Sequence, residues 1–109
     1  MHTLTLGNVA IGPDQPLCII AGPCVAESVD LCLRIGEAVR DRCADLGFGY
    51  IFKASFDKAN RSSIQSYRGP GVEEGMALLE RVKSELGVPV TTDIHLPEHA
   101  AQAAPVDLL

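Results

Sequence analysis

The sequence predicts an α/β protein built on a parallel sheet, and three observations carry the prediction. Short apolar runs alternate with segments of helical period, beginning at Leu17-Cys-Ile-Ile-Ala21, which is the order of a β-α-β chain with right-handed crossovers. The runs are continuous rather than alternating, as in strands covered on both faces. Polar or reactive groups follow the runs directly: Cys24, the stretch from Lys53 to Ser63, Asp93 and His95. Parallel α/β folds gather their functional groups at those strand ends. The pattern by itself leaves a doubly wound sheet and a (β/α)8 barrel both open.

The elements follow in order. Thr3-Leu-Thr-Leu6 and Val9-Ala-Ile11 flank Gly7-Asn8 and read as a hairpin, closed by Gly12-Pro13-Asp14. Residues 1–16 thus form an N-terminal β-hairpin, and residues 17–109 begin the α/β unit. After the Leu17–Ala21 strand the chain turns at Gly22-Pro23. Ser28 is placed to cap a helix whose apolar face is read as Leu31, Ile35, Ala38, Val39 and Leu46, with Gly47 ending it. Tyr50-Ile-Phe52 is the second strand, and the chain from Lys53 to Pro70 leaves it. A second helix starts near Val72, presents Met76, Leu79, Val82 and Leu86, and stops at Gly87. Val88–Thr92 is the third strand. Pro97 is placed to open a short third helix, and Val106–Leu109 enters a fourth strand.

Composition narrows the function. The chain has 109 residues, 47% of them hydrophobic, which suits one core. A net charge of -5 argues against nucleic-acid binding, and 5% aromatic content with no Trp leaves few platforms for stacked bases. None of the four cysteines, Cys18, Cys24, Cys32 and Cys43, forms a C-x-x-C pair. The N-terminus lacks the basic start of a signal peptide. The Leu17–Ala21 run is far short of the roughly 20 residues a membrane-spanning helix needs. A cytoplasmic protein with reduced thiols and small-molecule ligands is expected.

The densest chemistry lies in Lys53-Ala-Ser-Phe-Asp-Lys-Ala-Asn-Arg-Ser-Ser63. Lys53, Lys58 and Arg61 crowd positive charge that an anionic ligand would relieve. Arg61 offers a planar fork for phosphate, Ser55 and Ser62 add hydroxyls, and Asn60 suits a sugar hydroxyl. Cys24 stands after a tight turn, where a thiolate suits Zn²⁺ or Fe²⁺; a small buried hydrophobe is the competing reading. Asp93 fits either a substrate contact or a helix cap. His95 and His99 have the spacing of helical zinc ligands, but Pro97 between them places His95 outside the helix, and the pair is rejected as a zinc motif.

The Lys53–Ser63 stretch with Ser66-Tyr-Arg-Gly-Pro-Gly71, Ala21-Gly-Pro-Cys24 with Glu27-Ser28, and Thr91-Thr-Asp-Ile-His95 closely resemble, in the same order, the signature of the 3-deoxy-D-manno-octulosonate 8-phosphate synthases, also called 2-dehydro-3-deoxyphosphooctonate aldolases. The resemblance implies a (β/α)8 barrel with its bottom covered by a hairpin, usually a homotetramer. It also implies condensation of phosphoenolpyruvate with D-arabinose 5-phosphate and water in Kdo and lipopolysaccharide biosynthesis. By match, Lys53 and Lys58 lie on the phosphoenolpyruvate side, and Asn60, Arg61 and Ser62 at the sugar phosphate. Ser55 joins the substrate-binding set. Lys58, Asp93 and His95 are implied in catalysis. Cys24 resembles the ligand of the metal-dependent class, whose divalent ion is Zn, Fe, Mn or similar. The alternatives are the related 3-deoxy-7-phosphoheptulonate synthase, which differs at the Asp57-Lys-Ala-Asn-Arg61 loop, and a non-catalytic phosphate-binding remnant.

The implied barrel is much longer than this chain, which holds the hairpin and about three and a half β/α units. The other metal ligands, expected as a histidine, a glutamate and an aspartate, would lie beyond Leu109. Three and a half units cannot close a barrel, so the 109-residue chain alone is expected to be inactive and poorly folded. The check is incubation of the purified chain with both substrates; product formation would refute the expectation.

Overall fold

The computed structural model describes residues 2–56 and 71–109. Strands β1 (Leu4–Leu6) and β2 (Val9–Ile11) form an antiparallel hairpin. Gly7 takes φ 56° at the first turn position, where the tight hairpin turn needs a left-handed residue. Then follow β3 (Cys18–Ala21), α1 (Val29–Leu46), β4 (Gly49–Lys53), α2 (Val72–Leu86), β5 (Val90–Thr91) and α3 (His99–Gln102). The second sheet is parallel, in the order β3-β4-β5. Beyond β5 an isolated parallel bridge joins Thr91 to Leu108. The sheet therefore continues outward past β5, with no return to the far side of β3 among the described residues.

Helix boundaries follow local chemistry. Ser28 has extended backbone and its side chain accepts a 3.1 Å hydrogen bond from the Leu31 N–H, so it caps α1 as its residue type predicts. Gly47 and Gly87 end α1 and α2 in the left-handed region, at φ 74° and 66°. The buried stripe of α1 is Cys32, Gly36 and Cys43, with Val39 packed beside it. It is not the Leu31–Ile35–Ala38–Leu46 face; Leu46 is 64% exposed. The cause is close approach. A Cβ on Gly36 would lie 2.5 Å from Leu86 Cδ1 and 3.1 Å from the Phe52 ring, so the glycine face is where α1 meets α2 and the sheet.

Three other boundaries differ from the sequence reading. Lys53 is the last residue of β4, not the first of a loop. β5 is only Val90–Thr91, because Pro89 has no N–H to pair. Helix α3 starts at His99, since the Leu96 and Pro97 carbonyls first accept turn bonds from His99 and Ala100.

The core lies between the sheet and the two long helices. Phe52, Leu79, Val82 and Val90 are among its most buried side chains. The hairpin sits at the N-terminal ends of the strands: a Cβ on Gly49 would lie 3.0 Å from Val9 Cγ1, and one on Gly7 3.7 Å from Pro89 Cγ.

Asp107 fixes the chain segment beside β5. Its carboxylate accepts from the Val90 N–H at 2.9 Å and from Lys83 Nζ at 2.8 Å, while its own N–H donates to the Val90 carbonyl. Burial would raise this carboxyl, but the two hydrogen bonds and the Lys83 charge together hold it below the usual carboxylate value. A pKa lowered on folding adds stability that is present above the unfolded value and is lost as pH falls through the folded one. Asp107→Ala is expected to cost about 1–3 kcal/mol at neutral pH, a penalty that shrinks toward zero below about pH 4. Denaturant midpoints of the whole protein with and without the substitution, across that range, provide the check, and a pH-independent difference would contradict it.

Candidate functional site

The three strand ends are cross-linked just where the chain leaves the sheet. After β3, Gly22 passes so close to the Lys53 carbonyl that a Cβ there would overlap it; the turn therefore requires glycine. The Tyr50 hydroxyl donates to the Ala21 carbonyl at 2.8 Å, and burial raises its pKa. Ser55 is the central link. Its N–H donates to the Cys24 carbonyl at 3.4 Å, its carbonyl accepts from the Ala26 N–H at 2.9 Å, and Val25 bridges it in parallel. From the third strand end, Thr92 Oγ1 donates to the Ala54 carbonyl at 2.9 Å.

Side chains complete the arrangement. Ser55, 1% exposed, donates a short hydrogen bond from Oγ to Asp93 Oδ1. The other carboxylate oxygen, Oδ2, faces His95 Nε2 at 3.7 Å. Buried Phe56 meets the rings of His95 and His99 edge-on, at centroid distances of 6.0 and 5.1 Å. His99 Nδ1 accepts from the N–H groups of His95 and Leu96, both at 3.3 Å. That ring nitrogen is thereby committed to the backbone at the start of α3.

Lys53 and Cys24 flank a cavity of about 210 Å³, floored by Gly22, Pro23, Ala54 and Ser55. Strand alternation sets Lys53 opposite to Phe52, so its ammonium lies on the face away from the helices. A larger cavity of about 350 Å³ lies between the start of α1 and Glu74, Leu78 and Arg81 of α2. It holds none of the strand-end groups, so the smaller one is the candidate site.

The cysteines divide by environment. Cys32 and Cys43 are buried, Cys18 is half-buried, and Cys24 is exposed. Burial, helped by the Glu27 carboxylate and opposed by a hydrogen bond from the Ser28 backbone, pushes Cys32 up to about 11. Burial, with the neighbouring Cys43, raises Cys18 as well. Those thiols stay protonated at neutral pH. Cys24 fits a metal as one soft donor at an open strand end. Among the described residues no group of three His, Cys, Asp or Glu side chains is arranged to hold an ion.

Of the residues singled out by sequence, the fold brings Cys24, Lys53, Ser55, Asp93 and His95 to one end of the sheet. Lys58, Asn60, Arg61 and Ser62 lie outside the described residues. Sequence reasoning passed over Tyr50, Phe56 and Thr92. The one signal for Phe56 was an aromatic set alone in a polar stretch. Among the described residues no helix is long and apolar enough to cross a membrane.

Parallel strands in sequential order, helices packed on one face and polar groups at the C-terminal strand ends define a parallel α/β protein with a strand-end site. The chain belongs to the DAHP synthetase I family, whose model matches residues 2–108. Proteins named 2-dehydro-3-deoxyphosphooctonate aldolase are close relatives. That of Desulfatibacillum aliphaticivorans is 47% identical over 96% of this chain and 39% of its own length. That of Legionella pneumophila (strain Corby) is 57% identical over 77% of this chain and 31% of its own length. For Geobacter sulfurreducens the values are 48%, 94% and 38%. The chain thus spans well under half the length of these relatives.

The close approach at Gly22 generates a test. Gly22→Ala must push the Cys24 turn off the Lys53 carbonyl, at a cost of about 1–3 kcal/mol. Chemical denaturation of the whole protein would measure the loss; a stability equal to the parent's would mean that the turn adapts freely.

Proposed function

We propose that this chain is the N-terminal part of a (β/α)8 synthase. The whole protein condenses phosphoenolpyruvate with D-arabinose 5-phosphate and water, giving 3-deoxy-D-manno-octulosonate 8-phosphate and phosphate for Kdo and lipopolysaccharide synthesis. The observation that carries the reading is the 47–57% identity to proteins named as that aldolase, in a chain that gathers Cys24, Lys53, Asp93 and His95 at one sheet end. Barrel closure is supported by the sheet's continuation beyond β5 at Leu108. In a doubly wound sheet with the order 3-2-1-4, the fourth strand would pair with the first instead. The hairpin of residues 1–16 covers the barrel bottom.

In this reading both substrates are anions, and the Lys53 ammonium, with Lys58, meets the phosphoenolpyruvate. Asn60, Arg61 and Ser62 hold the sugar phosphate. Asp93 takes a sugar hydroxyl and orients the His95 imidazole, which moves a proton beside the reacting carbonyl. A divalent ion such as Zn, Fe or Mn would be held by Cys24, with further donors from the rest of the whole protein. When bound it supplies charge that orients the aldehyde or a reacting water. The whole protein acts as a cytoplasmic homotetramer. The related heptulosonate synthase is the lesser reading, since the relatives named above carry the octonate name and the Asp57–Arg61 loop is of that type.

The test is phosphate release by the whole protein, with phosphoenolpyruvate and either arabinose 5-phosphate or erythrose 4-phosphate. Turnover with the pentose is expected, and turnover with the tetrose alone would replace this reading by the heptulosonate one. A chelator should abolish turnover and Mn²⁺ restore it; full activity after stripping would remove the metal. Arg61→Ala should raise the arabinose 5-phosphate KM about tenfold or more.

A further inference from the structure

Among the described residues, Ser55 links the Cys24 turn and Asp93 at once. It is 1% exposed, so its hydroxyl has almost no open surface to offer a ligand. Its three hydrogen-bonding groups are each engaged with a strand end. The N–H and carbonyl bind the Cys24 turn, at Cys24 and Ala26. The hydroxyl binds Asp93 Oδ1, which turns the opposite oxygen of that carboxylate toward His95. The backbone of Ser55 therefore sets the Cys24 turn, and its side chain sets Asp93.

We infer that Ser55, which the resemblance places in the substrate-binding set, acts instead as a positioning residue: its buried hydroxyl helps to fix the rotamer of Asp93, and through it the Asp93–His95 pair. A hydrogen bond donated to one carboxylate oxygen restricts rotation about the Cα–Cβ and Cβ–Cγ bonds, and its removal widens the range of orientations. The assignment rests on the strand-end site being the reacting site. It separates the two arms of Ser55, because Ser55→Ala deletes only the hydroxyl and leaves the backbone link to Cys24.

The experiment is a double-mutant cycle in the whole protein, comparing Ser55→Ala in the native and Asp93→Ala backgrounds. In the native background kcat should fall about tenfold, the scale of losing one hydrogen bond to a charged acceptor, with the phosphoenolpyruvate KM within about twofold. In the Asp93→Ala background the same change should alter kcat less than about twofold. Equal losses in both backgrounds would mean that Ser55 acts by general support or on substrate directly, and would overturn the inference. So would an unchanged kcat in the first. The modification rate of the exposed Cys24 thiol should match the parent's; a changed rate would show that the turn moved as well, and would also overturn it.

If the parent turns over neither aldose phosphate, the functional reading fails by itself. The Ser55–Asp93 contact is then read by proton NMR, as a slowly exchanging Ser55 hydroxyl resonance that disappears in Asp93→Ala. Absence of that resonance in the parent would overturn the contact.

Discussion

The enclosure of β4 is the constraint on which the rest of the structure depends. It is paired on both edges, with β3 and β5, and Ile51 and Phe52, on its opposite faces, are fully buried. A strand so enclosed cannot slip by one residue without turning Phe52 away from the helices. Gly36 of α1 fits against Phe52, and a Cβ on Gly75 in the first turn of α2 would overlap Phe56. Helix α1 is thereby brought onto β4, and α2 onto the segment that leaves it. Where the apolar run ends, Lys53, Ser55 and Phe56 emerge in fixed register, so the position of the polar groups follows from the packing of the apolar ones.

That arrangement separates stability from chemistry along the strand direction. At the N-terminal ends, the hairpin covers Gly49 and Pro89, and Asp107 anchors the segment beside β5. At the C-terminal ends, further bonds tie the strands and the turns that follow them: Tyr50 to Ala21, Ser55 to Cys24 and Asp93, Thr92 to Ala54. These links hold side chains from three distant parts of the sequence within one small region. A catalytic constellation needs such support, since small displacements cost rate steeply.

Much of this was legible in the residues themselves. Ser28, Gly47 and Gly87 mark helix ends because their side chains, or the lack of one, answer a local backbone need. The strand-end positions of Cys24, Asp93 and His95 followed from counting apolar runs. The resemblance to the octulosonate synthases rested on long motifs, and the relatives carry the same name. The inner face of α1 was not legible. Its helix carries two apolar stripes, and hydrophobicity favours Leu and Ile over Gly and Cys. Only the partner surface, Leu86 and Phe52, shows that the small residues face inward.

The sequence by itself determined the order of elements, their capped ends and the identity of the groups at the strand ends, because each depends on neighbours a few residues away. Tertiary structure decided which of those groups meet. Nothing in the spacing of Ser55 and Asp93 indicates that one hydroxyl is spent on the other's carboxylate. It also decided that the chain stays in the sheet through Lys53 and pairs again at Ser55, with Val25. Those outcomes rest on contacts between residues dozens of positions apart, and such contacts exist only once the sheet has set its register.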